Sequence, residues 1–190
     1  ISLYYFTNLL SAFLLLFTIL FYVFVYTIWL KRKTPQNIVI GGASGALPPV
    51  IGWAIATNSI SLESIAFFLI IFFWTPSHFW ALSLYKADDY KKAGIPMLPV
   101  TNGIQDTKKN ILIYSLLMIP TIVFPYYIGF VGEVFLTLSL LLTFYYNLIC
   151  YQLYNYKVGK FNIKKARHIF SYSIIYLFLI FVFFLVDKVL

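Results

Sequence analysis

A chain of 190 residues that is 62% hydrophobic and 21% aromatic, with only 11% charged residues, falls outside the range of soluble globular domains. Its net charge of +8 could suit nucleic acid, but the basic residues border apolar runs, so anionic lipid and membrane topology account for them and nucleic acid is excluded as a partner.

Six apolar runs close to the ~20 residues that cross a bilayer follow in order: 9–30, 37–57, 63–85, 110–129, 133–151 and 168–187. Lipid offers the backbone no hydrogen bonds, so each run must satisfy its own N–H and C=O groups as a helix. The short alternating segments of a β-barrel are missing. The reading is therefore an all-α polytopic membrane bundle of six transmembrane helices. The chain begins Ile1-Ser2-Leu3, with no basic region and no small-residue cleavage site, so the first run does not read as a signal peptide.

In the second run, Gly41 and Gly45 stand in a G-x-x-x-G spacing that reads as close helix packing. Pro48-Pro49 removes two backbone donors and should break that helix near mid-membrane. Cys150, the single cysteine, excludes an internal disulfide and reads as packing. The phenylalanine-rich last run reads as lipid-facing bulk, with His168 at its polar start. No soluble domain, repeat or G-x-x-x-x-G-K-[ST] phosphate loop occurs.

Thirteen of the fourteen Lys and Arg residues gather in three places. These are Lys31-Arg32-Lys33; Lys86, Lys91, Lys92, Lys108 and Lys109; and Lys157, Lys160, Lys164, Lys165 and Arg167. The intervening connections, near 58–62 and 130–133, carry Glu63 and Glu133 but no lysine or arginine. The positive-inside rule then puts the three basic loops on the cytoplasmic or matrix side of an inner membrane.

The central basic loop holds most of the chemistry. In "YKADDYKKAGIPMLPV", Gly94, Pro96 and Pro99 stiffen a segment whose Ile95, Met97, Leu98 and Val100 need cover, so it should fold back on the helix ends. His78, Leu82, Tyr85 and Asp89 share one helical stripe if the helix runs past Tyr85. His78 would then lie roughly 10 Å deeper than Tyr85 and face the bundle interior or a wet cavity. Pro76 weakens the helix just before it. A mouth of carboxylates and lysines above an aromatic interior suits an amphiphile with a polyphosphate head. Carboxylates reach such a head through Mg²⁺, and lysine or arginine neutralises the rest. That is the chemistry of prenyl transfer.

Three stretches, "YTIWLKRKTPQNIVIGGASGALPPVIGW" (26–53), "FFWTPSHFWALSLYKADDYKKAGIPMLPV" (72–100) and "KKARHIFSYSIIYLFLIFVFFLVD" (164–187), resemble the UbiA-type membrane prenyltransferases, within them the branch acting on heme. The resemblance covers nearly the whole chain with its blocks in order. It implies transfer of farnesyl from farnesyl diphosphate to a vinyl group of protoheme IX, giving heme O for terminal oxidases, with heme A synthase or an oxidase assembly as neighbours. It assigns Asp89 and Asp88 to the Mg²⁺–diphosphate side. Lys31, Arg32, Lys86 and Tyr90 match the positions expected to contact phosphate. His78 is expected to point at the heme acceptor, as an axial ligand or propionate contact, with Tyr85 lining the same cavity. The family has nine transmembrane helices and an earlier acidic motif, so residues 1–190 are expected to form one N-terminally incomplete prenyltransferase domain, inactive alone. A quinone-precursor acceptor, a secondary transporter or an inert membrane fragment are the competing readings.

Overall fold

The computed structural model describes residues 2–156 and 163–189; Lys157 and Lys160 of the third basic cluster lie outside the described residues. After α1 (Ser2–Phe6), α2 (Leu9–Leu20) runs directly into a π-helical stretch, Phe21–Leu30, and the two make the first span. The second span is α3 (Asn37–Ala46) plus α4 (Pro48–Thr57), and the third is α5 (Leu62–Tyr85). Two short helices, α6 (Ala87–Lys92) and α7 (Leu98–Thr101), lead to the last three spans: α8 (Gly103–Tyr127), α9 (Glu133–Tyr154) and α10 (Ile163–Val189). Among the described residues there is no strand, and all six spans are long and apolar enough to cross a membrane. This is an integral membrane protein of the all-α class.

The boundaries differ from expectation for local reasons. α8 begins at Gly103, earlier than the apolar run, because its polar first turns are helical as well and Asp106 sits where the helix dipole favours an anion. The second span is interrupted at Leu47, and Pro48 and Pro49 occupy the first turn of α4, where a missing N–H costs nothing. Pro76, by contrast, lies inside a continuous α5.

α5, α8, α9 and α10 each pack on the next, and α10 closes back on α5. Their seam holds Ile70, Trp80, Met118, Phe135, Tyr146 and Tyr176, all fully buried. Cys150 is buried in the same core, as packing requires. The last helix is not lipid-facing bulk. Ala166, Ile169, Ser173, Tyr176, Ile180 and Phe184 are buried at spacings of three and four, the stripe of a helix seated in a bundle. Aromatic residues on its other faces hid that stripe. Hydroxyls tie the seam together: Ser77 to Tyr146 at 2.8 Å and Thr143 to Tyr176 at 2.9 Å. In a medium that competes poorly for polar groups, such interhelical bonds hold the helices in register.

α3 and α4 pack outside this ring on α5, and the first span packs on them. Gly41 and Gly42 provide the close approach: a Cβ at Gly41 would stand 2.2 Å from Cδ2 of Tyr26, and one at Gly42 would stand 3.1 Å from Cγ2 of Thr75. Gly45 has no such neighbour within 4 Å, so the G-x-x-x-G reading holds for Gly41 alone, with Gly42 as the second contact.

At the bundle end that holds the α8–α9 turn, the Asp187 carboxylate accepts hydrogen bonds from the Gly132 N–H at 2.7 Å and the Phe135 N–H at 3.1 Å. It caps the start of α9 from the end of α10. The neighbouring Lys188 ammonium donates to the Phe130 carbonyl and lies 4.5 Å from the Phe130 ring centroid. Asp187→Ala is expected to destabilise the protein by about 1–2 kcal/mol, the usual cost of a lost helix cap, read as a lower midpoint of thermal unfolding in detergent.

Candidate active site

At the other end the second and third basic clusters meet. The Arg167 guanidinium lies 5.4 Å from the Tyr85 ring centroid, Lys165 lies 4.9 Å from that of Tyr156, and Lys108 donates to the Tyr156 carbonyl at 3.0 Å. Lys31 lies 6.0 Å from the Tyr26 ring on its own span. Residues far apart in sequence thus share one mouth.

The helix does not run past Tyr85. Lys86 adopts φ −112° and ψ 17°, which ends α5 and starts α6 on a new axis. The stripe from His78 to Asp89 is therefore broken, and Asp89 does not continue the line of His78 and Tyr85. The two aspartates instead project, exposed, from a helix of six residues in which Tyr90 is partly covered and no side chain is fully buried. Asp89 Oδ2 pairs with Lys86 Nζ at 3.1 Å, with both side chains more than half exposed. Behind them the loop folds back as its composition requires, burying Met97 and Leu98. Burial raises the Tyr90 hydroxyl above its ordinary range; Tyr85 and Asp89 add to the shift and Lys86 opposes it. Tyr90 is therefore a neutral donor at physiological pH.

Among the described residues no three His, Cys, Asp or Glu gather into a metal cage. Two adjacent exposed carboxylates do fit a hard cation that takes one or two carboxylates and completes its shell with phosphate oxygens and water.

Deeper in α5, His78 is 7% exposed. Its ring is sandwiched between Trp74, with centroids 4.3 Å apart, and Phe170, 4.6 Å apart, and its Nδ1 lies 2.6 Å from Ser173 Oγ. Trp74 Nε1 donates to the Ser173 carbonyl at 2.8 Å. Tyr85 meets Phe170 edge-on at 6.2 Å, so an aromatic path does link the mouth to His78, through α10 rather than along α5. Sequence reasoning missed Trp74, Phe170 and Ser173. For Ser173 the signal available was the three-four-three spacing of Ala166, Ile169, Ser173 and Tyr176 in "ARHIFSYSIIY".

A cavity of about 590 Å³ lies beside this cluster, between the first three spans. Tyr22, Tyr26, Ile71, Trp74 and Phe79 wall it, with Gly41, Gly42 and Gly45 on the α3 side. The π-helical stretch supplies Tyr22 and Tyr26, in keeping with the tendency of π-helices to occur at functional sites. Periodicity could not announce it, since "FYVFVYTIWL" reads equally as ordinary helix.

A family model described as the UbiA prenyltransferase family matches residues 1–175. The chain belongs to the UbiA prenyltransferase family. Its UbiA relatives include a protein from Pelagibacter ubique named protoheme IX farnesyltransferase, 75% identical over 190 residues, all of this chain and 63% of the relative. Proteins of the same name from Parvibaculum lavamentivorans and Azorhizobium caulinodans are 50% and 52% identical, over 96% and 92% of this chain and 58% and 57% of the relatives. The chain thus spans about six-tenths of the length of these UbiA relatives. No solved structure matches it.

Proposed function

We propose that this chain forms part of a membrane prenyltransferase that moves a farnesyl group from farnesyl diphosphate to protoheme IX, giving heme O. The observation that supports this best is the pairing of an exposed carboxylate–lysine mouth with an aromatic cavity and a caged histidine below it. The 75% identity to a relative named for that reaction supports it independently.

In this reading Asp89 and Asp88 hold Mg²⁺ against the diphosphate. The ion would supply the positive charge that makes diphosphate a competent leaving group. Lys86, Lys31, Arg32 and Tyr90 neutralise or donate to the remaining phosphate oxygens. The Lys86–Asp89 pair suits the task because an exposed ion pair is worth only about 0–1 kcal/mol. It opens cheaply, freeing one partner for metal and the other for phosphate. The farnesyl chain lies in the apolar cavity. As the allylic C–O bond breaks, diphosphate leaves with the electron pair and the heme vinyl π electrons form the new C–C bond; water then adds to the cation left beside the porphyrin and loses a proton, giving the hydroxyl of heme O. His78 and Tyr85 hold the heme. Residues 1–190 act as one membrane domain whose basic ends face the cytoplasm or matrix of an inner membrane.

The test is a chimera in which residues 1–190 replace the matching region of the Pelagibacter ubique relative. Given radiolabelled farnesyl diphosphate and Mg²⁺, it is expected to label added protoheme IX and not a quinone precursor. Label in the quinone precursor alone would move the acceptor assignment. No transfer to either acceptor from a well-folded chimera would end the reading.

A further inference from the structure

We infer that Ser173 sets the tautomer of His78, leaving Nε2 as the electron-pair donor toward heme iron. Ser173 is thus a positioning residue on the last span. The argument rests on the proposed role of His78 as a heme contact and deepens it. A serine hydroxyl has one proton. Ser173 Oγ lies 2.6 Å from the Phe170 carbonyl, which can only accept, so the proton goes there. The 2.6 Å contact with His78 must then be filled from the other side, by an Nδ1–H donating to Oγ. A neutral imidazole protonated at Nδ1 carries its lone pair on Nε2.

The surroundings leave that nitrogen free. Trp74 and Phe170 cover the two ring faces, Phe79 packs against the ring at 5.0 Å with the two planes nearly perpendicular, and Ser173 takes the Nδ1 edge. Nε2 has no hydrogen-bond partner among the described residues. It is also not one of the enclosed polar side-chain atoms left without a partner, as Trp80 Nε1 is. Ser173 is itself held, because Trp74 donates to its carbonyl while stacking on the same histidine. The arrangement resembles the outer shell of metal-binding histidines, in which the second ring nitrogen donates to a fixed acceptor that orients the ring and raises its basicity. Here the acceptor is a neutral hydroxyl on a neighbouring helix.

The test uses the chimera, titrated with hemin and then reduced, with the iron–histidine stretching band read by resonance Raman. The parent is expected to show the band. Ser173→Ala should weaken hemin binding about ten- to a hundredfold, the usual cost of losing such a partner, and lower the band frequency. Ser173→Thr keeps a hydroxyl and should restore both. A Ser173→Ala protein with parental affinity and band, or a folded Ser173→Thr protein that behaves like the alanine variant, would overturn the role of Ser173 while leaving His78 as the ligand. If His78→Ala keeps the band and the affinity, the reading beneath it fails instead.

Discussion

Asp89→Asn, placed in the chimera, is expected to lower farnesyl transfer about a hundredfold, the scale of losing one electrostatic contact to the charge that develops in a transition state. The side chain keeps its shape and loses its charge. Because Asp89 is 63% exposed and pairs with Lys86 on the surface, the fold should not register the change. Helicity and thermal midpoint should match the parent. The loss should be partly recovered by raising Mg²⁺, since a weakened metal site fills at higher concentration. Asp88→Asn should cost less. It stands next to Asp89 on the same short helix and, in the proposed site, is the secondary oxygen donor. A loss that comes with a lower thermal midpoint would point to folding rather than chemistry.

Gly41→Ala should be the most damaging single-methyl change in the first two spans. The new Cβ would stand 2.2, 2.5 and 2.9 Å from three atoms of the Tyr26 ring, including Cγ at its root. Rotation about the end of the side chain cannot relieve a clash at that root. Either the ring leaves its place against Tyr22, now 5.3 Å away, or the first span shifts off α3. Overpacking of this kind costs typically about 1–3 kcal/mol. Tyr26 and Gly41 both line the cavity, so the KM for farnesyl diphosphate should rise several-fold with a smaller change in kcat. Gly45→Ala, at a position with nothing within 4 Å, is the matched control and should leave stability unchanged.

The spans were legible because lipid leaves the backbone one choice. A run of about twenty apolar residues without charge has to be a helix, and the six runs became six helices. The fold-back of the central loop was legible for a related reason, since Met97 and Leu98 had no other way to leave water. What the sequence concealed was facing. In a soluble helix polar residues mark the outside; here lipid and core are both apolar, so nothing in "SIIYLFLIFVFF" separates Ile180 in the seam from Phe178 facing outward. The stripe through His78 failed on one residue. Lys86 leaves helical geometry, and a helical projection carried across that break sends Asp89 the wrong way. His78 is buried in the bundle as expected, but its partner Ser173 was not legible, because it comes from a helix 95 residues later in the chain.

The most direct measurement is of the metal at α6. Mn²⁺ can stand in for Mg²⁺ as a hard cation that favours oxygen ligands. Its electron spin resonance, taken on the chimera with an uncleavable thio-analogue of farnesyl diphosphate, should show Mn²⁺ bound with phosphorus in its ligand shell. In the double variant Asp88→Asn, Asp89→Asn that signal should fall to the level of free ion. A double variant that holds Mn²⁺ and the analogue as tightly as the parent would contradict the assignment of these carboxylates to the leaving group.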